Sequence, residues 1–306
     1  MIQQQKVYYS LGDFLSSSLS SHTHIQIQER KTYVIHDNIK DLGLVFEKCS
    51  ILQVISINLD SKYVNDQSML ILGQSIAKCI NILNLMLSVK SNMIKAKGAL
   101  YLLSGLSSCY LLQTLVLDLS NNKIGPEGST NLGSGLAQLT NIQNLKLNLR
   151  LNIIYDEGLS GLASGLEKCS NLSNLELNLN YNYIGQNGVQ SLVSALKQCQ
   201  CLSILLLDLS KNSICVQGAK KLINSMIDHK RLFTLKINLI ENKIYYGDCS
   251  FINILAKCTK LSSLKLNLGL VTEDMIQQIV QQYQRLQKKL EAKLFKTKRL
   301  VQIKIN

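Results

Sequence analysis

The sequence predicts an α/β solenoid in which short parallel strands and helices alternate in near-identical coils. Three observations predict it. The stretch LDLSNNKIGPEG (117–128) returns as LNLRLNIIYDEG (147–158), LNLNYNYIGQNG (177–188) and LDLSKNSICVQG (207–218), always 30 residues on. Each copy opens on apolar residues at every second position, as in Leu115, Leu117 and Leu119, which is the period of a strand with one buried face. The first three then carry Leu at a spacing of four, Leu132/Leu136, Leu162/Leu166 and Leu192/Leu196, which makes one face of a helix. A single unit of this kind cannot bury its apolar side, whereas stacked units pair their strands in a parallel sheet and fuse their Leu columns into one core.

Taken in order, Leu11, Phe14, Leu15 and Leu19 suit a short amphipathic cap helix. A degenerate first coil follows, with Ile25, Ile27, Val34, Leu42 and Phe46 in core columns and His22 and Glu29 breaking two of them. From Cys49 the phase is regular: Cys49, Cys79, Cys109, Leu139, Cys169, Cys199, His229 and Cys258 share one column. Three residues after each stands an aliphatic: Leu52, Ile82, Leu112, Ile142, Leu172, Leu202, Leu232 and Leu261. An Asn column occupies 92, 122, 152, 182, 212 and 242. A carboxamide there can satisfy both donors and acceptors of the tight turn after each strand. Gly at 98, 128, 158, 188 and 218 lets the chain start each helix closely packed or with unusual dihedrals. After Leu268 a long helix is expected, capped by Thr272, with Ile276, Ile279, Val280, Tyr283, Leu290 and Leu294 on its apolar face. Leu300, Ile303 and Ile305 then restore strand spacing as a closing strand. The organisation read is one domain over 1–306: cap helix and degenerate repeat over 1–48, repeats over 49–270, C-terminal helix and strand over 271–306.

At these residues, LxxLxLxLxxNxI followed by GxxxLxxxL resembles the leucine-rich repeat, specifically the long ribonuclease-inhibitor-like kind, over roughly 49–270. The resemblance implies a horseshoe with a parallel sheet on its concave face and helices on its convex face. One departure stands out. An added x-Leu pair before the Asn lengthens the strand segment, so a longer strand or a bulge is expected and the family's curvature is not carried over.

Totals exclude several classes. Hydrophobic residues make up 46% of the 306, charged residues only 17%, and there is one Pro, which argues against flexibly tethered domains. The opening MIQQQKVYYSLGDFL has no uninterrupted apolar run, and no stretch of about 18 apolar residues occurs, so neither a signal peptide nor a membrane span is expected. Nine Cys without a signal peptide suggest free thiols in a reducing, cytoplasmic setting. Residues 1–194 carry 14 Lys/Arg and 13 Asp/Glu, whereas 195–306 carry 19 and 7, so nearly all of the +13 net charge lies in the last third.

Motifs that carry chemistry are missing. There is no P-loop, no GxSxG elbow and no HExxH. DLG at 41–43 and HDN at 36–38 stand alone, without the other kinase elements. The six marker cysteines read as small buried residues at the helix-to-strand return. Cys201, Cys215 and Cys249 have no metal-ligand spacing, and His22 and His24 read as a polar capping loop. The expectation is therefore a non-enzyme with no cofactor and no metal: a protein–protein interaction scaffold. Similar repeats build the Ran GTPase-activating protein, so a GTPase regulator is the first rival reading; an RNA-associated subunit is the second.

Two rows lie between the Leu columns on the open side of the strands. The first reads Ser56, Met86, Val116, Lys146, Glu176, Leu206, Lys236, Lys265 and varies in size and charge. The second reads Asn58, Ser88, Asp118, Asn148, Asn178, Asp208, Asn238, Asn267 and suits a cross-strand amide ladder. Tyr155, Tyr181, Tyr183, Tyr245 and Tyr246 cluster on the turn side. The expected docking surface spans Tyr181, Tyr183, Leu206, Lys236 and Lys265. A second contact is expected at the basic patch Arg285, Lys288, Lys289, Lys293, Lys296, Lys298 and Arg299, with Lys220, Lys221, Lys230 and Arg231 on an earlier coil. The absence of aromatic interleaving and of an RNA-binding motif favours an acidic protein over nucleic acid. Acidic tubulin tails make a cytoskeletal or ciliary assembly one setting that suits such a patch.

Overall fold

The computed structural model describes residues 5–17, 23–30, 36–49, 51–227, 229–244, 261–268 and 300–304. The elements run β1 (Gln5–Tyr8), α1 (Leu11–Leu15), β2 (His24–Gln28), α2 (His36–Glu47), β3 (Val54–Asn58), α3 (Asp66–Ile76), β4 (Asn84–Ser88), α4 (Ala96–Leu106), β5 (Thr114–Asp118), α5 (Gly125–Leu136) and β6 (Asn144–Asn148). They continue with α6 (Tyr155–Leu166), β7 (Asn174–Asn178), α7 (Gln186–Gln198), β8 (Ile204–Asp208), α8 (Val216–Ile227), β9 (Thr234–Asn238), β10 (Ser263–Asn267) and β11 (Leu300–Lys304).

The eleven strands form one sheet in chain order, every neighbouring pair parallel. From β2 to β9 each residue faces its equivalent 30 positions on, as His24 faces Val54 and Ile204 faces Thr234. β9 meets β10 with an offset of 29, Thr234 opposite Ser263. The chain is thus a solenoid of strand–helix coils. β1 has no counterpart in the repeat pattern: QKVY carries a single period of alternation and escapes a reading based on columns. The long helix expected after Leu268 lies outside the described residues.

One core runs from Leu11 and Phe14 through the strand, return and helix columns to Leu266. Fully burying each Leu or Ile contributes about 1.5–3 kcal/mol, and summed over the columns this outweighs every other stabilising term. No helix among the described residues is long and apolar enough to cross a membrane.

The first coil shows why Glu29 stands in a core column. Its Oε2 accepts the Leu11 N–H at 2.8 Å, so a buried carboxylate meets an orphan donor at the start of α1. Ser10 completes that cap by accepting from the Asp13 N–H at 3.0 Å.

The added x-Leu pair forms no bulge. From β2 to β11 each strand keeps five residues, and the parallel ladder continues beyond it: Leu119 N–H donates to Asn148 O at 2.9 Å and Asn121 N–H to Arg150 O at 2.8 Å. The Asn column then seals each turn. Asn152 Nδ2 donates to Leu119 O of the preceding coil at 2.9 Å and to Leu149 O of its own at 3.1 Å, while Oδ1 accepts the Ile124 N–H at 3.2 Å. The Gly column needs no special dihedral; it answers a close approach. A Cβ on Gly128 would sit 2.9 Å from Ala96 Cα and 2.8 Å from Ile124 Cγ2.

Candidate functional site

The open row of the sheet is built by register. Val7, Gln26, Ser56, Met86, Val116, Lys146, Glu176, Leu206, Lys236, Lys265 and Gln302 stand side by side across the eleven strands. Because neighbouring strands lie about 4.8 Å apart, each side chain touches only its neighbours' positions, and charge is settled locally. At the middle of the row Lys146 Nζ meets Glu176 Oε1 at 2.7 Å, so that pair is neutral. Beyond it, half-buried Leu206 is followed by two exposed lysines in direct register, Lys236 and Lys265. Neither makes an ion pair among the described residues. Like charges placed opposite one another on a sheet repel, and an anion lying across the two strands removes that repulsion.

The second row is structural. Asn58, Asp118, Asn148, Asn178, Asp208 and Asn238 each accept the backbone N–H two residues on, which closes the turn after their strand. Asn148 Nδ2 also donates to Asp118 Oδ2 at 2.9 Å, and Asn238 Nδ2 to Asp208 Oδ1 at 3.2 Å. These side chains are engaged with the chain itself.

The structure divides the expected docking surface. Leu206, Lys236 and Lys265 share the open row, whereas Tyr181 and Tyr183 lie beyond the end of β7 on the turn edge. There Tyr155 and Tyr183 stack with ring centroids 5.4 Å apart, and Tyr181 meets Tyr183 edge-on at 6.3 Å. The sequence shows no sign of their backbone. Leu151, Ile153, Tyr155, Tyr181 and Tyr183 all adopt φ between +56° and +60°. That left-handed region suits Gly and Asn, and costs an ordinary residue roughly 1–2 kcal/mol. Tyr245, Tyr246 and the basic patch Arg285, Lys288, Lys289, Lys293, Lys296, Lys298 and Arg299 lie outside the described residues.

The marker column explains its own composition. Cys109 Sγ donates to Ile76 O at 3.6 Å, Cys169 Sγ to Leu136 O at 3.6 Å and Cys199 Sγ to Leu166 O at 3.4 Å. Those carbonyls end α3, α5 and α6; each also accepts the backbone N–H three residues on, of Cys79, Leu139 and Cys169, so the thiol meets a second lone pair. Burial pushes the thiols of Cys109 and Cys169 up to about 11 and that of Cys199 up to about 12, so they persist as thiols, not nucleophilic thiolates. His229 takes the same place with Nε2 3.1 Å from Cys199 O, which assigns the proton to Nε2. Among the described residues no group of His, Cys, Asp and Glu is arranged to hold a metal ion.

No family model matches the chain, and no curated protein matches it.

Proposed function

We propose that the chain is a leucine-rich-repeat scaffold of the ribonuclease-inhibitor-like type that docks an acidic segment of a partner protein on its open sheet face. The observation that carries this reading is the pair Lys236 and Lys265, set in register beside Leu206 and without an ion pair among the described residues, when the charges two strands earlier neutralise each other. A partner strand bearing carboxylates beside an apolar side chain matches that order. The excess of Lys/Arg over Asp/Glu in residues 195–306 steers such a partner toward this end of the molecule. A repeat array with one continuous core presents the face rigidly, so little ordering entropy opposes binding.

The test is binding of a labelled polyglutamate peptide, followed by fluorescence anisotropy at several salt concentrations. Charge reversal at both positions, Lys236→Glu with Lys265→Glu, is expected to weaken binding at least about tenfold, or roughly 1.4 kcal/mol. Unchanged affinity in that double variant removes the reading. Acceleration of GTP hydrolysis by a bound GTPase, or steeply salt-dependent binding of single-stranded RNA in preference to the peptide, replaces it with one of the rival classes.

A further inference from the structure

We infer that the acidic group this face selects is one phosphorylated Ser or Thr of the partner protein, seated across β9 and β10; the inference rests on the docking reading above. Four side chains make the seat. Thr234 and Lys236 alternate on β9, Ser263 and Lys265 alternate on β10, and the register sets Thr234 beside Ser263 and Lys236 beside Lys265. All four stand on the open side, because Leu235, Ile237, Leu264 and Leu266 take the buried side of the same strands. The two lysines are exposed and the two hydroxyl residues half-buried. Neither hydroxyl makes a hydrogen bond among the described residues. Other polar side chains nearby are engaged: Ser203 Oγ donates to Ser173 O at 3.0 Å, and Ser262 Oγ to Phe233 O at 3.0 Å. Earlier in the row of Thr234, Asn144 donates to Thr114, and Asn174 to Asn144. Apolar Ile204 then interrupts that row, and the two hydroxyls beyond it are left beside the two lysines.

Spacing and extent favour a single dianion. The lysines stand one strand apart, about 4.8 Å, whereas alternate residues of an extended partner stand about 6.6 Å apart, so two carboxylates of one segment fall out of step with the pair. The basic step is also short. Leu206 stands on one side of it, with paired Glu176 beyond, and Gln302 holds the register position on the other. A longer run of carboxylates would lay its further charges against an apolar side chain or another carboxylate. One phosphoryl group brings about 1.5 to 2 negative charges and three acceptor oxygens on a single side chain. It balances both ammonium groups and still offers an oxygen to the hydroxyls. Asp208, diagonal to Lys236, does not balance the pair from within: its Oδ1 accepts from the Ser210 N–H at 3.0 Å and from Asn238 Nδ2 at 3.2 Å, which ties it to the turn. Ile204 and Leu206 give the residue next to the phosphate an apolar contact.

The test uses the full chain and three labelled peptides of one otherwise uncharged sequence, with phosphoserine, Glu or Ser at the centre. Fluorescence anisotropy reads their binding beside that of polyglutamate. The phosphoserine peptide is expected to bind about tenfold or more tighter than the Glu peptide, and the Ser peptide weakest. Thr234→Val with Ser263→Ala is expected to weaken phosphoserine binding about tenfold and polyglutamate binding by less than about threefold, at an unchanged melting temperature. Equal affinity for the phosphoserine and Glu peptides, or undiminished phosphopeptide binding by the hydroxyl variant, overturns the inference. Either result leaves the acidic docking standing as long as polyglutamate still requires Lys236 and Lys265. A variant that melts well below the parent also overturns it, by making the hydroxyls structural. So does binding of phosphoinositide vesicles in preference to the phosphopeptide, which would make a membrane the source of the phosphate.

Discussion

Asn182 Oδ1 accepts the backbone N–H of Asn152 at 2.9 Å, so each rung of the amide ladder holds the rung before it. The same carboxamide donates through Nδ2 to Leu149 O at 2.8 Å and Leu179 O at 3.1 Å, and none of these groups reaches water. Removing it strands buried donors and acceptors in two coils at once.

Asn182→Leu is therefore expected to destabilise the chain by on the order of 3 kcal/mol, since each stranded buried polar group costs about 1–3 kcal/mol. Asn182→Asp should also destabilise, because a carboxylate accepts but cannot donate to Leu149 O and Leu179 O. Denaturant unfolding followed by circular dichroism measures both; a loss below about 1 kcal/mol in each would mean that the ladder is dispensable.

The helical layer is tightest where Gly133 of α5 meets Gly161 and Gly165 of α6. A Cβ on Gly165 would collide with the Gly133 carbonyl, and one on Gly133 with the Gly161 carbonyl. Gly165→Val is expected to cost at least about 3 kcal/mol, the upper end for overpacking, because backbone and not a movable side chain blocks the space. Gly12→Val serves as the control, with only Ser10 Oγ at 3.7 Å from its added Cβ. Equal thermal midpoints for the two variants would contradict this account of the packing.

His229 makes stability fall in mild acid. Burial lowers its pKa below the ordinary 6.5, partly offset by the bond to the Cys199 carbonyl. Above pH 6.5 the ring is neutral whether the chain is folded or not, and the full stability is present. As pH falls below 6.5 the unfolded chain takes up a proton that the folded chain resists, so stability is lost down to the folded pKa. His229→Cys restores the column's usual residue and should remove that part of the slope. The measurement is the denaturant midpoint of both chains at pH 7.5 and pH 5.5; parallel losses would show that His229 does not contribute.

Much of this was legible in periodicity. The columns of Leu115, Leu117, Leu132 and Leu136 are buried because a repeat of 30 residues leaves each apolar side one place to go, under its neighbour. The Asn column was legible for the same reason, since a buried turn must satisfy its backbone. Single deviations were harder. Glu29 looks like a fault in a Leu column until α1 folds back and offers it the Leu11 N–H. In the marker column, what Cys109, Cys169, Cys199 and His229 share is a helix-end carbonyl of the preceding coil, which no spacing reveals.

By itself the sequence determined the coil, its register and which side chains face inward, because these follow from local period and the water-avoidance of Leu and Ile. It also determined that Lys236 lies beside Lys265, since parallel strands joined by nearly constant lengths must align equivalents. Only the tertiary structure decided that Tyr155, Tyr181 and Tyr183 sit in left-handed backbone as one aromatic cluster apart from that lysine pair. A residue's φ there is imposed by the ladder bonds of neighbouring coils, which outweigh its own preference, and no single stretch of chain contains both partners of those bonds.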